Sequence, residues 1–500
     1  MTQSLDQNLN PFALADALSN KLLIDGKLVP ALSGKRFDVI NPATGDVIGQ
    51  AADGVAADVD LAVEAAAKAQ KSWGKLHPRE RGRLISECGR LLTAHVEEIA
   101  KLVALETGKA LRTESRVEAS VLADVFVFFG GLGSELKGES VPFKTDSITI
   151  TQREPIGVVG AIIPWNVPLL LMALKIAPAM VAGNSVVVKS AEEAPLAVLR
   201  VAQIMNQVLP PGVFNMISGD GPGAGAPLVS HPKVGKVTFT GSVETGKIVY
   251  KAAAEKLIPV TLELGGKSPM IVMGDADIDR AVAGAITGMR FTRQGQSCTA
   301  ASRMFVHASI HDEFVAKLKA KVDEMVMGDP LDEKTDIGTI ISPEQFAKVK
   351  SYIALGEASS GATTLRCSAM PTDPKLAKGL FVQPVVFLGL TNDHRICKEE
   401  IFGPVTAVVK FTDYEDVIAQ ANDTEYGLAA TVWTADVSRA MRVTRALRAG
   451  TVGVNGFQLE PNWPFGGYRQ SGLGREGGRA AVESYTELKT VLLPFTGEMM

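Results

Sequence analysis

The alternation of apolar and polar positions changes period along the chain. Leu22 to Val29 and Arg36 to Ile40 read as short strands, with a turn at Asn41-Pro42-Ala43-Thr44-Gly45. Val59–Lys71, Arg79–Leu105 and Thr113–Leu132 carry helical spacing. Ser140–Arg153 alternates strictly through Ser147-Ile148-Thr149-Ile150-Thr151, which predicts a β-hairpin outside any α/β rhythm. From Ile156 the pattern becomes strand, turn, helix. Ile156–Ile163 is a continuous apolar run, as expected of a strand buried on both faces. Helix Val167–Val181, strand Ser185–Lys189, helix Pro195–Val208, strand Phe214–Ser218 and helix Ala224–Ser230 follow. Strand Lys236–Thr240, helix Val243–Lys256 and strand Pro259–Leu264 complete the series. This rhythm predicts a doubly wound sheet with ligands at the carboxyl ends of its strands.

From Pro269 the rhythm restarts. Strand Met270–Met273, helix Ile278–Thr292, strand Arg303–His307 and helix His311–Val326 are predicted. A loop-rich stretch and the apolar run Phe381–Leu388 come next. Strand Val405–Phe411, helix Tyr414–Asn422, strand Ala429–Trp433 and helix Val437–Leu447 complete a second α/β domain. Thr486–Pro494 is one more strand-like run, and the polar stretch before residue 20 predicts no element.

Bulk properties narrow the function classes. A chain of 500 residues implies two or three domains. A net charge of -4 gives no electrostatic footprint for nucleic acid or an anionic membrane. The four cysteines, Cys88, Cys298, Cys367 and Cys397, are widely spaced without a CxxC pair. The six histidines form no HxxxH spacing. Neither a disulfide framework nor a metal site is expected, and a reducing compartment is. Met1–Asn20 lacks a basic segment followed by an apolar core, so no secretory signal is read there. The longest apolar region, Ile156–Val188, is broken by Pro164, Asn166, Pro168, Lys175, Pro178 and Asn184, unlike a membrane span. These features predict a cytoplasmic protein.

Candidate chemistry centres on Arg293-Gln294-Gly295-Gln296-Ser297-Cys298-Thr299-Ala300-Ala301-Ser302-Arg303. Here one cysteine follows a glycine on a turn leading into the apolar Met304-Phe305-Val306. A nucleophilic thiol needs partial ionisation, which backbone N–H groups or positive charge supply. The same segment also reads as a small buried residue beside a loop.

Predicted strand ends carry further polar groups. Asn166, restrained by Pro164 and Pro168, offers an amide to an oxyanion, or is a turn residue. Lys189 and Glu192 suit the vicinal hydroxyls of a ribose, and the carboxylate repels a 2′-phosphate; they also suit a solvated capping pair. Gly219-Asp220-Gly221-Pro222-Gly223-Ala224-Gly225 is glycine-rich without the full dinucleotide fingerprint. Phe239-Thr240-Gly241-Ser242-Val243-Glu244-Thr245-Gly246 puts a helix N-terminus where it can hold a phosphate, or is an ordinary Ser cap. Glu263, at a strand end beside Gly265 and Gly266, becomes a usable base if burial raises its pKa, or pairs with Lys267 at a hinge. Glu399-Glu400-Ile401-Phe402-Gly403-Pro404 adds a carboxylate and an aromatic ring. The run Pro464 to Glu476 is too glycine-dense for regular structure and reads as a covering loop or a connector.

The runs PWN, KSAE, FTGS, ELGGKSP, GQSC, EIFGP and PFGGYRQSGLGRE stand in this order. From about residue 22 onward the chain resembles the aldehyde dehydrogenase superfamily, the NAD(P)-dependent non-phosphorylating kind. The resemblance implies that Cys298 is the nucleophile and Glu263 the general base. It implies an oxyanion hole made by the Asn166 amide and the Cys298 N–H. It assigns Lys189 and Glu192 to the adenosine ribose, Ser242 and Gly246 to the pyrophosphate, and Gly221 and Gly225 to the adenine side. Glu400 and Phe402 match residues that hold the nicotinamide half, and Ile163, Pro164, Trp165, Phe239, Leu264 and Gly265 complete the cofactor set. Lys175 and Glu476 match a proton exit path.

The implied fold is α/β and aldehyde dehydrogenase-like: two doubly wound domains and a β-arm for oligomerisation. The cofactor domain would comprise residues 1–137 and 160–264, the catalytic domain 265–485, and the arm 138–159 with 486–500. A lone hairpin with an exposed edge favours a homodimer or homotetramer. The expected reaction oxidises an aldehyde with NAD, NADP being less favoured because of Glu192. Val167 and Leu174 stand where many relatives carry larger or charged side chains. With Ser297, Thr299, Phe457, Leu459, Trp463 and Phe465 they would form a pocket for a hydrophobic or aromatic aldehyde. The same aromatics also read as interface packing. A semialdehyde, a betaine-aldehyde-type substrate and a CoA-acylating variant are the alternatives, and Glu263 favours hydrolysis over acyl transfer to CoA.

Overall fold

The structure, a computed structural model, describes residues 10–458 and 460–494. The readings that touch Leu459, the chain before Asn10 and the chain after Pro494 fall outside the described residues.

Two sheets carry the molecule. The first has eight strands, and its parallel centre runs Val260–Glu263, Val234–Thr240, Val158–Ile162, Ser185–Lys189, Phe214–Ile217 across the sheet. These strands are almost entirely apolar or fully buried because helices cover both faces. The chain winds outward from Val158–Ile162 in one direction, then returns to its other side at Val234–Thr240. That reversal is the switch point at which open α/β sheets bind ligands. Register puts a single row of residues along the carboxyl edge. Glu263 pairs with Thr240, Phe239 with Ile162, Ile162 with Lys189, and Lys189 with Ile217.

The second sheet has seven strands, parallel except for Thr363–Arg366 at its edge. Its strand Pro269–Val272 begins just after Glu263 ends the last parallel strand of the first sheet. The carboxyl edge of one sheet therefore faces the amino edge of the other across Leu264–Ser268. Strand Gly472–Leu473 lies inside the segment read as the second domain, yet pairs antiparallel with Val260–Glu263 of the first sheet. A third sheet joins Thr486–Pro494 to Ser147–Pro155 in full antiparallel register, with Ser140–Val141 on the far edge. Ile148, Leu488, Leu492 and Leu493 on this sheet are exposed.

Several predicted elements differ in detail, for physical reasons. The helical run predicted over Arg79–Leu105 is two helices, Pro78–Thr93 and Val96–Thr107. No Gly or Pro marks the break. The second helix turns to meet Leu196–Met205, whose first N–H groups donate to the buried carboxylate of Glu106 at 2.8 and 3.0 Å. The stretch predicted to be loop-rich contains the helix Pro343–Glu357. Its start is legible in Ser342-Pro343-Glu344, but only Val349, Ile353 and Gly356 are buried along it, so its apolar periodicity is weak. Before residue 20, Pro11–Ala17 is helical, with Asn10 as cap. Strand Thr451–Val454 was also unpredicted.

Among the described residues one helical run, Leu111–Ser134, is long and apolar enough to cross a membrane by length and composition. Half of its apolar window is buried, and it packs against Pro78–Thr93 and Pro168–Val181.

Helix Ala56–Trp73 is pinned to helix Pro168–Val181 by the indole of Trp73, which donates to the Met180 carbonyl at 2.9 Å and is 2% exposed. Trp73→Phe removes that hydrogen bond, leaving the Met180 carbonyl only the Gly183 N–H at 3.0 Å, and removes ring volume. A loss of about 2 kcal/mol is expected, read as a lower urea midpoint at unchanged slope.

Candidate active site

Glu263 ends its strand at 3% exposure, and neither carboxylate oxygen has a protein hydrogen-bond partner. Its cover is the glycine-dense loop: a Cβ on Gly466 would lie 2.7 Å from Glu263 Oε1. Beside it, the fully buried Lys175 ammonium donates to Thr240 Oγ1 at 2.6 Å and pairs with Glu476. Glu476 is held by its own backbone, which exchanges hydrogen bonds of 2.6 and 2.8 Å with Phe465. Burial raises the Glu263 carboxyl well above the usual carboxylate range, and the Glu476 charge raises it further. Lys175 and Arg475 oppose this shift. The sequence reading of Glu263 as a burial-activated carboxylate thus has its physical conditions here.

Cys298 sits on a loop wound through left-handed backbone. Arg290, Gln294 and Gly295 have φ of 56°, 56° and 62°. A Cβ on Gly295 would lie 2.1 Å from the Gly403 carbonyl oxygen, so only glycine fits there. Gln296 laces the loop to its neighbours. Its amide donates to the Thr339 carbonyl at 3.2 Å, and its side-chain oxygen accepts from Ile341 N–H at 3.1 Å. The Asn166 amide donates to the Gln296 carbonyl at 3.1 Å, which brings the Asn166 turn against the cysteine loop.

The thiol departs from the sequence expectation. Local N–H groups and positive charge were expected to favour its ionised form. Instead, loss of hydration, with Glu400 and Glu263 nearby, pushes Cys298 up to about 12. Arg293 and the Cys298 N–H pull the other way but are outweighed. Lost hydration and two nearby carboxylates, the buried Glu263 and the half-buried Glu400, cost a thiolate more than one cation returns.

Cys298 and Asn166 line a cavity of about 220 Å³ together with Pro164, Trp165, Ser242, Leu264, Gly265, Glu400 and Phe402. Trp165 and Phe402 meet edge to face at 5.3 Å. Glu400 accepts from Gly266 N–H at 2.9 Å, and a Cβ on Gly265 would lie 2.3 Å from its carboxylate. Ile163 is buried at the strand end beneath this wall, and Phe239 packs under Gly241. Gly246 lies against Leu264, where a Cβ would approach to 2.5 Å. Ser242 caps helix Val243–Ala254 by accepting from Thr245 N–H at 3.2 Å. Lys189 and Glu192 pair at 3.0 Å away from this cavity, and Glu192 lines a second one of about 480 Å³. Gly221 and Gly225 bound a π-helical turn capped by Asp220, also apart from the first cavity.

The structure does not bring the proposed substrate residues to the cavity wall. Val167 and Leu174 are buried in the core of the first domain. Ser297 and Thr299 flank Cys298 and hydrogen-bond to each other at 3.1 Å. Phe465 is buried where its backbone bridges to Glu476, Phe457 is half-buried, and Trp463 is exposed.

Sequence reasoning missed Gln345 and Lys348, which line the cavity from helix Pro343–Glu357. Gln345 donates to the carbonyls of Ile401 and Phe402 at 3.0 and 2.8 Å, holding Phe402 at φ 57°. The Ser-Pro-Glu start of that helix was the signal available.

Fold and site together define an α/β protein with a half-buried cysteine lining a cleft and a buried carboxylate at the same junction of its two sheets. The chain belongs to the aldehyde dehydrogenase family, whose model matches residues 29–491. It is 43% identical to the mitochondrial benzaldehyde dehydrogenase of Antirrhinum majus, over 95% of this chain and 88% of that one. It is also 43% identical to the betaine aldehyde dehydrogenase of Cereibacter sphaeroides, over 94% and 96%. The NAD+ complex of an aldehyde dehydrogenase from Bacillus cereus superposes with a TM-score of 0.91 at 40% identity, covering 96% and 97%.

A carboxylate whose pKa is raised ionises only above that pKa, so any step that uses the Glu263 carboxylate should slow as pH drops through it. Glu476→Gln removes a like charge and leaves Lys175 in place. The acidic limb of the pH–rate profile for aldehyde oxidation should then move down by about one pH unit. Lys175→Met should move it up. A limb that stays put in both variants would mean the two carboxylates do not interact.

Proposed function

We propose that the protein oxidises an aldehyde to its carboxylic acid with NAD+, through covalent attachment to Cys298. The observation that carries this reading is the meeting of Cys298, the Asn166 turn and the cavity walled by Glu400 and Phe402 at the junction of the two sheets. Glu263 closes the same junction from the Gly466 side.

Cys298 Sγ passes its proton to solvent and adds to the aldehyde carbon. The Asn166 amide and the Cys298 N–H donate to the developing oxyanion, the charge that most needs a donor already in place. Bound NAD+ supplies the acceptor for the hydride that leaves that carbon. Cys298 then carries a thioester. Glu263 takes a proton from water, the resulting hydroxide attacks the thioester carbon, and the thiolate leaves as the acid departs. The raised pKa of Glu263 suits this role. It also argues for hydrolysis over transfer to CoA, which needs no such base.

The residues fit a dinucleotide. Gly265 and Gly246 leave close-approach surfaces beside Glu400 and Leu264, and the N-terminus of helix Val243–Ala254 opens toward the cavity at Ser242. Glu192, partly exposed beside Lys189, offers a carboxylate to two ribose hydroxyls and would repel a 2′-phosphate. NAD+ is therefore the preferred cofactor.

For the substrate we favour a hydrophobic or aromatic aldehyde. Likeness to the benzaldehyde dehydrogenase supports it. Equal identity to a betaine aldehyde dehydrogenase supports a second reading, a quaternary ammonium aldehyde. The exposed leucines of the three-stranded sheet support an arm that pairs with a second copy of the chain. The spaced free thiols support a reducing compartment.

One experiment addresses these points: NADH or NADPH formation with benzaldehyde, a medium-chain aldehyde, betaine aldehyde and succinic semialdehyde, repeated with Cys298→Ala. The alanine variant should form no reduced cofactor; wild-type rates from it would sink the reading. A higher kcat/KM for betaine aldehyde or succinic semialdehyde than for benzaldehyde would overturn the apolar substrate. Equal kcat/KM with NAD+ and NADP+ would overturn the cofactor preference.

A further inference from the structure

Two buried carboxylates outside the reaction scheme sit four residues apart on one segment. Glu114 lies in the π-helical turn Leu111–Ser115, and Glu118 in the first turn of helix Arg116–Gly131; both are about 5% exposed or less. Each reaches a different half of the active site. Glu118 pairs with the buried ammonium of Lys109, which donates to the Asn166 carbonyl at 2.9 Å. Glu118 also accepts from Leu169 N–H at 2.8 Å. Helix Pro168–Val181 has no side-chain cap of its own, so Glu118 supplies the missing N-terminal acceptor. Glu114 accepts from Arg293 Nε at 2.8 Å and from the Thr292 hydroxyl, at the start of the loop that carries Cys298. The segment is itself anchored to the second domain, where Leu111 N–H donates to the Pro330 carbonyl at 2.7 Å and Thr113 to the Asp336 carbonyl at 2.8 Å.

Buried ion pairs are weak sources of stability, because desolvation offsets most of their attraction. Stability alone therefore does not explain two of them on one face, each ending on a loop of the site. We propose that Glu114 and Glu118 are positioning residues that set the separation of the Asn166 amide and the Cys298 thiol. Glu118 acts through Lys109 on the Asn166 turn, and Glu114 acts through Arg293 on the cysteine loop. The proposal rests on Cys298 and Asn166 having the roles given above.

The test is the rate of the first turnover of NADH formation, with NAD+ affinity and Tm measured alongside. Glu118→Gln should slow that turnover about 100-fold, the scale of a small misplacement of reacting groups. NAD+ affinity and the rate of Cys298 alkylation by iodoacetamide should not change. In an Asn166→Ala background Glu118→Gln should cause no further loss, since the group it positions is gone. Glu114→Gln should still cause a loss in that background, because it acts on the other loop. If Glu118→Gln does not fold, Lys109→Met with Glu118→Gln removes both buried charges and should show the same slowed turnover.

A Glu118→Gln enzyme within about threefold of wild type would overturn the proposal. So would a loss that is undiminished in the Asn166→Ala background, which marks a packing role. Failure of the wider reading looks different: there Cys298→Ala itself keeps forming NADH.

Discussion

The whole arrangement depends on a joint with no side chains, Gly265-Gly266. A Cβ on Gly266 would lie 2.3 Å from the Cys298 carbonyl oxygen, and one on Gly265 equally close to the Glu400 carboxylate. This is where the carboxyl edge of one sheet closes on the amino edge of the other. The first sheet supplies Glu263 and the Asn166 turn, and the second supplies the loops of Cys298 and Glu400. Backbone without side chains lets the two edges approach closely. Gly295 against Gly403 and Gly466 against Glu263 repeat the device on the other sides of the site.

Closeness has an electrostatic consequence. Glu263, Glu400 and Cys298 share a poorly solvated space, and the two carboxylates make the thiolate harder to reach. All three are displaced toward their neutral forms. Lys175 and Arg475 near Glu263, and Arg293 near Cys298, limit that displacement without cancelling it. A site of this kind favours a base that works above the usual carboxylate range and a thiol whose proton must be removed as it reacts. Local rules for stability are broken where the chemistry is, as expected of functional sites.

Side-chain amides and one ammonium away from the reacting atoms hold the loops of the site. Gln296, Gln345 and Lys109 all end on main-chain carbonyls of site loops, at Thr339, Phe402 and Asn166. Side chain to backbone bonds of this kind fix a loop's path where no sheet or helix does. They also explain why the loops can adopt left-handed turns at Gln294 and Phe402 that isolated peptides would avoid.

What the sequence determined by itself was the alternation of apolar strands with amphipathic helices, and thus two α/β units and most of their strands. Fully buried runs such as Ser185–Lys189 announce themselves because both faces must be apolar. Polar residues at strand ends and in glycine- or proline-marked turns also placed Asn166, Glu263, Cys298, Glu400 and Phe402 among the site candidates. Only tertiary structure decided the rest. The break after Thr93 and the weakly amphipathic helix of Gln345 and Lys348 depend on which surface each segment meets, which local periodicity does not encode. Trp463 is turned outward and Phe465 inward for the same reason. The thiol's resistance to ionisation arises first from lost hydration and then from carboxylates distant in sequence, because both act through space and not along the chain.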